Sequence, residues 1–73
     1  MKPIHKLKIN DINRLRKCHI YEVNIVSDVQ VRFADIELMR KKLQELFQCR
    51  INQAFVERML ILYLAFGEDV CPA

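Results

Sequence analysis

The stretch "VSDVQVRFADIELMRKKLQ", residues 26–44, changes its hydrophobic period in the middle and decides the fold prediction. From Val29 to Phe33 apolar and polar residues alternate, which is the period of a half-buried β-strand. From Ile36 onward the apolar residues recur three and four positions apart, as on one face of an α-helix. The sequence therefore predicts a short strand that runs almost directly into a helix capped by Asp35.

Two helices are expected downstream of this strand. The first carries an apolar stripe formed by Ile36, Met39, Leu43 and Leu46. The second is predicted to run from an Asn52 cap to about Phe66, and after Arg58 it is apolar on all sides. Such a helix needs burial all round, and 73 residues are few for that task. We therefore expect a homodimer, in which the partner chain supplies the missing part of the core.

The residues before the strand also favour extended structure. Residues 20–33, "IYEVNIVSDVQVRF", are rich in β-branched and aromatic residues at period two. Within one chain, a three-residue loop at 26–28 would pair the two halves as a hairpin, although this loop lacks the glycine that such loops favour. Alternatively, residues 29–33 pair with the same segment of a second chain. The sequence leaves both pairings open.

The N-terminal residues are basic. They hold half of the twelve Lys and Arg residues: Lys2, Lys6, Lys8, Arg14, Arg16 and Lys17. We expect residues 1–19 to form a basic arm with a short helix after Asn10 or Asp11 that uses Ile12 and Leu15. The formal net charge of +3 favours an anionic partner. The expected organisation is this arm, a strand-helix-helix domain at 20–67 and a tail at 68–73.

Several classes of function are disfavoured. The three cysteines show no metal-binding spacing with the two histidines, so we expect no metal and no cofactor. No nucleophile-and-base arrangement stands out, so we expect neither an enzyme nor a small-molecule substrate. The longest apolar run, 59–66, is far shorter than the roughly 20 residues of a membrane span. The N-terminus lacks the apolar region of a secretory signal, and three widely spaced thiols favour a reducing, cytoplasmic location.

Three segments, "VQVRF", "DIELMRKKLQELF" and "RINQAFVERMLILYLA", together resemble the ribbon-helix-helix family of DNA-binding proteins. The resemblance covers residues 28–66. It implies a mainly α fold with a short β-ribbon, assembled as an intertwined homodimer, here with an N-terminal extension. The alternative is an α+β fold in which an in-chain hairpin at 21–33 packs on two helices.

The resemblance also implies DNA-contacting residues. The ribbon residues Gln30 and Arg32 would read base edges in the major groove, with Asp28 at the edge. The start of the second helix would hold a phosphate through Arg50, Asn52 and Gln53, because free backbone N–H groups favour anions there. The basic arm would add phosphate contacts from Lys2, Lys6 and Lys8. The expected dimer core comprises Val29, Val31, Phe33, Phe55, Met59, Leu62, Tyr63 and Phe66.

The leading functional hypothesis is a small, dimeric, sequence-specific protein that binds double-stranded DNA, acting as a transcriptional repressor or accessory factor. The alternative is a non-enzymatic protein-protein interaction module, such as an inhibitor or adaptor. The apolar end of the second helix and the possible in-chain hairpin favour this alternative.

Overall fold

The computed structural model describes residues 2–18 and 30–66, and these residues form three α-helices. After a 3₁₀ turn at Ile4–Lys6 come α1 at Ile9–Arg16, α2 at Phe33–Phe47 and α3 at Gln53–Phe66. Neither described range contains a strand. The predicted β-ribbon is therefore wrong, and so is a fold built on it. Residues 20–29, where the rest of the extended segment was expected, lie outside the described residues.

The predicted strand fails because its last residue belongs to α2. The carbonyl oxygen of Arg32 accepts hydrogen bonds from the N–H groups of Asp35 and Ile36, at 3.1 and 3.0 Å. The helix thus begins at Phe33, two residues before the predicted cap, and Asp35 lies in its first turn. A carboxylate there is favoured by the helix dipole. Phe33 is 76% exposed, so the alternating pattern has no continuous buried face.

The apolar stripe of α2 is confirmed. Met39 and Leu43 are fully buried, and Ile36 and Leu46 pack against the core. The helix ends at Phe47 and is followed by Gln48 in the left-handed conformation, with φ 54° and ψ 40°. The Gln48 N–H donates to Gln44 O at 2.7 Å, which satisfies a carbonyl of the last turn.

The start and extent of α3 are confirmed as well. Asn52 Oδ1 accepts a hydrogen bond from the Ala54 N–H at 2.7 Å, as an N-cap residue does. The helix packs against both α2 and α1. Its buried residues are Val56, Met59, Leu60, Leu62 and Tyr63.

The N-terminal segment provides the layer that a partner chain was expected to provide. Its basic residues alternate with Ile4, Leu7, Ile12 and Leu15, all of which are buried in the core. The Tyr63 hydroxyl donates to the carbonyl oxygen of Lys2 and ties this segment to α3. One chain thus buries much of the apolar surface of α3 that motivated the dimer prediction. The homodimer itself stays a prediction.

The residues assigned to the dimer core have different environments. Met59, Leu62 and Tyr63 are buried within this one chain. Val31, Phe55 and Phe66 are partly buried against its core, while Phe33 faces solvent. Val29 lies outside the described residues.

The sequence predicted reduced cysteines, and one of the two described cysteines does not fit that prediction. Cys18 is fully buried and disulfide-bonded. Cys49, in the turn between α2 and α3, is exposed and has a free thiol.

Candidate functional site

A basic groove lies between the N-terminal segment and the C-terminal half of α2. Its volume is about 540 Å³. We call it the lysine groove, and its lining residues are Lys2, His5, Lys6, Leu7, Lys8, Lys42, Glu45 and Leu46. Four lysines and a histidine thus face a single carboxylate in the lining.

Local backbone structure places the lysines on one side of this groove. In the 3₁₀ turn, Lys6 N donates to Pro3 O at 3.0 Å and Leu7 N donates to Ile4 O at 3.1 Å. Because Ile4 and Leu7 are buried, the turn is anchored in the core and its polar neighbours remain exposed. The basic side chains of the segment are therefore held on a fixed support.

The start of α1 depends on one carboxylate beside the groove. Asp11 Oδ2 accepts a hydrogen bond from the Lys8 N–H at 2.8 Å and another from Lys2 Nζ at 3.0 Å. Burial alone would raise the pKa of Asp11. The backbone and side-chain hydrogen bonds, together with the charges of Lys2 and Arg14, outweigh that effect and lower the pKa below its usual 3.8. Asp11 thus stays ionised and holds Lys2 at one end of the groove.

The opposite side of the groove carries an ion pair on α2. Lys42 Nζ lies 3.3 Å from Glu45 Oε1, one helical turn later. The Lys42 side chain is only 10% exposed, whereas that of Glu45 is 69% exposed. The lysine is therefore packed into the protein, and the glutamate projects into water.

Lys6 and Lys8 differ from these paired lysines. Both are exposed, and no carboxylate among the described residues lies within ion-pair distance of their ammonium groups. Their charges are available to an anion entering the groove. Lysine ammonium groups donate hydrogen bonds and act as point charges, which suits the oxygens of a phosphate.

The groove brings together one set of residues predicted from the sequence and adds another. Lys2, Lys6 and Lys8 were expected to contact phosphates, and all three line it. Lys42 was not among the predicted contacts, because the run "RKK" at 40–42 is typical of a solvated helix face, with a rim of phosphate contacts as the alternative. Its neighbours behave in that way: Arg40 pairs with Glu37 at 3.7 Å and Lys41 is exposed. The available signal was spacing: Lys42 lies three positions after Met39 and four before Leu46, so it borders the apolar stripe of α2.

The other expected DNA contacts lie elsewhere. Arg50, Asn52 and Gln53 are exposed around the turn before α3 and do not line the lysine groove. The Ala54 N–H donates its hydrogen bond to the Asn52 side chain. One of the backbone donors expected to bind the phosphate is therefore already satisfied. Gln30 and Arg32 are exposed but stand on no strand, and Asp28 lies outside the described residues.

A second groove lies between α1 and α3. Its volume is about 760 Å³, and its lining residues are Asn13, Arg16, Lys17, Phe55, Arg58 and Met59. Phe55 is held between neighbours: the Arg16 guanidinium carbon is 5.9 Å from its ring centroid, and Phe47 contacts it edge-on with centroids 6.4 Å apart. Arg16 and Arg58 also have further interactions. The lysine groove, with four lysines against the three cationic residues of this second groove, is the stronger candidate for binding an anion.

No protein-family model, curated protein or solved structure matches this chain significantly. Among the helices of residues 2–18 and 30–66, none combines the length and apolar character needed to cross a bilayer. Within the same ranges, no group of three or more His, Cys, Asp and Glu side chains is arranged to hold a metal ion.

Proposed function

We propose that this protein binds double-stranded DNA through the phosphate backbone, using the lysine groove. The observation that carries the proposal is the convergence of Lys2, Lys6 and Lys8 with Lys42 around one groove. Two of these lysines, Lys6 and Lys8, have no carboxylate partner among the described residues. Neutralising phosphates with such cations releases condensed counterions, which drives binding to DNA.

The wider charge distribution supports this proposal. The chain has twelve Lys and Arg residues against nine Asp and Glu residues, which gives a formal net charge of +3. A positive field of this kind attracts polyanions and accelerates their association.

The chemistry of the lining favours a duplex backbone over unstacked bases. The described side chains around the groove are lysines, a histidine, a glutamate and two leucines. Proteins that hold single strands generally add Phe, Tyr or Trp rings on which the bases stack. Phosphate contacts of this kind position a protein on DNA without reading its sequence. The proposed binding is therefore independent of base sequence.

A paired substitution tests the proposal. Lys6→Gln with Lys8→Gln removes two groove charges, and Arg32→Gln with Lys41→Gln removes two exposed charges outside the groove. Binding of a labelled random duplex would be followed by fluorescence anisotropy at low salt. We expect the groove variant to bind roughly tenfold more weakly than the wild type and the control variant to change much less.

Two results would overturn the proposal. The first is a wild type that does not bind duplex DNA at low salt. The second is equal weakening in both variants, since this would mean that net charge alone matters. Circular dichroism of each variant verifies that the fold is retained.

A second candidate function is a protein-protein interaction module, and the exposure of Phe33 and Leu38 on α2 favours it. Exposed large apolar side chains are common contact residues in interfaces. If a second copy of this chain covers them, Phe33→Ser with Leu38→Ser should lower the molecular mass found by sedimentation equilibrium. A monomeric wild type would remove this support for the expected homodimer.

A further inference from the structure

Lys42 is the least exposed cation among the ion pairs of the described residues, and its partner is the most exposed carboxylate among them. The side chain of Lys42 is 10% exposed and that of Glu45 is 69% exposed. Within the described residues, Glu45 Oε1 is the acceptor found for Lys42 Nζ, at 3.3 Å. An ammonium group has three donors, so this contact leaves part of its capacity unused.

From this asymmetry we propose that the Glu45 carboxylate occupies a phosphate subsite on Lys42 and is displaced when DNA binds. The inference rests on the proposed function of the lysine groove and names a residue that regulates it. A carboxylate oxygen and a phosphate oxygen make the same kind of charge-assisted contact with an ammonium group. Glu45 therefore competes with the ligand for Lys42.

The exposures of the two partners make this exchange feasible. Most of the Lys42 side chain packs against the protein, which holds its ammonium group beside the groove, whereas its contact with Glu45 lies at the surface. Glu45 is mostly hydrated and loses little when it leaves, because exposed ion pairs are weak. The phosphate also carries the same sign of charge as Glu45, so removing the carboxylate removes a repulsion as well as a competitor.

The same helix offers a matched control. Glu37 and Arg40 have the same three-residue spacing, with Glu37 Oε1 3.7 Å from Arg40 Nε. Neither residue lines the lysine groove. Glu37→Gln and Glu45→Gln each remove one negative charge from α2, so they change the net charge of the protein equally. A difference between them reports the local effect of Glu45.

The experiment measures binding of a random duplex to the wild type, E37Q and E45Q at several salt concentrations. We expect E45Q to bind roughly fivefold more tightly than the wild type and E37Q to differ by less than about twofold. A third comparison adds Lys42→Gln to each form. Because Glu45 is proposed to act through Lys42, the gain from E45Q should vanish in the K42Q background.

The outcomes separate this inference from the proposed function. If E45Q and E37Q bind alike while the Lys6 and Lys8 substitutions weaken binding, Glu45 is not a competitor and the DNA-binding groove stands. If the gain from E45Q persists in the K42Q background, the subsite on Lys42 is wrong. If neither the wild type nor E45Q binds DNA, both proposals fall.

Discussion

Leu7 anchors the N-terminal segment in the core, and its replacement by alanine should destabilise the protein strongly. The side chain is 3% exposed and belongs to the same core cluster as α2 and α3. Ile9, two residues later, is 40% exposed and provides a control in the same segment. Because the two residues are neighbours in the chain, a difference between the two alanine variants reports the effect of side-chain burial.

The magnitude follows from the atoms removed. Leu→Ala deletes three carbons, each worth about 0.8 kcal/mol when buried, and leaves a cavity that adds to this cost, so Leu7→Ala should cost about 2–5 kcal/mol. Ile9→Ala should cost less than about 1 kcal/mol, because much of that side chain already contacts water. A domain of 73 residues has a total stability of roughly 4–11 kcal/mol. Leu7→Ala thus removes a large fraction of it.

Urea denaturation followed by far-UV circular dichroism measures both variants. With a slope of about 1 kcal/mol per M, Leu7→Ala should lower the midpoint by about 2–5 M and Ile9→Ala by less than about 1 M. If Leu7→Ala left the midpoint unchanged, the N-terminal segment would be an unpacked basic arm. The support that it gives to the lysine groove would then be lost.

Three further predictions concern other parts of the fold. Gln48→Gly should raise the free energy of unfolding by about 1 kcal/mol, because glycine has no steric penalty at φ 54°; unchanged stability would contradict a left-handed residue there. Phe33→Ser should change that free energy by less than about 0.5 kcal/mol, whereas a buried strand residue would cost several times more. Because folding lowers the pKa of Asp11, its stabilisation is present above the usual value of 3.8 and is lost as the pH falls through the folded value. Acid denaturation of Asp11→Asn should therefore show a shallower loss of stability below pH 4 than the wild type.

Local patterns predicted the two long helices well. The Asn52 cap specifies the start of α3 because its side chain accepts a hydrogen bond from a backbone N–H of the first turn. The apolar run after it specifies the rest of the helix because these side chains are buried. Both signals lie close together in the sequence. The stripe that includes Met39 and Leu43 did the same for α2. The short helix expected from Ile12 and Leu15 is also present, although it begins at Ile9.

The start of α2 was mispredicted because five alternating residues are a weak signal. Arg32 and Phe33 fit a strand by pattern, but Phe33 continues into Ala34 and Asp35, which suit the first turn of a helix. Within the described part of the chain Phe33 is 76% exposed, so burial does not favour an extended form for it there. The helix therefore extends toward the N-terminus.

The lysine groove was only half predictable. Lys2, Lys6 and Lys8 were found from charge, but their meeting with Lys42 depends on tertiary packing of the N-terminal segment against α2. Apolar residues interspersed in the basic segment, namely Ile4, Leu7, Ile12 and Leu15, were the available sign that it packs on the core. The many Lys and Arg residues of the segment favoured its interpretation as a solvent-exposed arm.

Mapping of amide NMR shifts during titration with a random DNA duplex tests the central claim most directly, because it locates the contact surface without any substitution. The lysine groove predicts that the largest shifts fall at residues 2–8 and 42–46 and decrease as salt is added. Shifts concentrated instead at residues 13–17 and 55–59, which line the other groove, would contradict the proposed binding site.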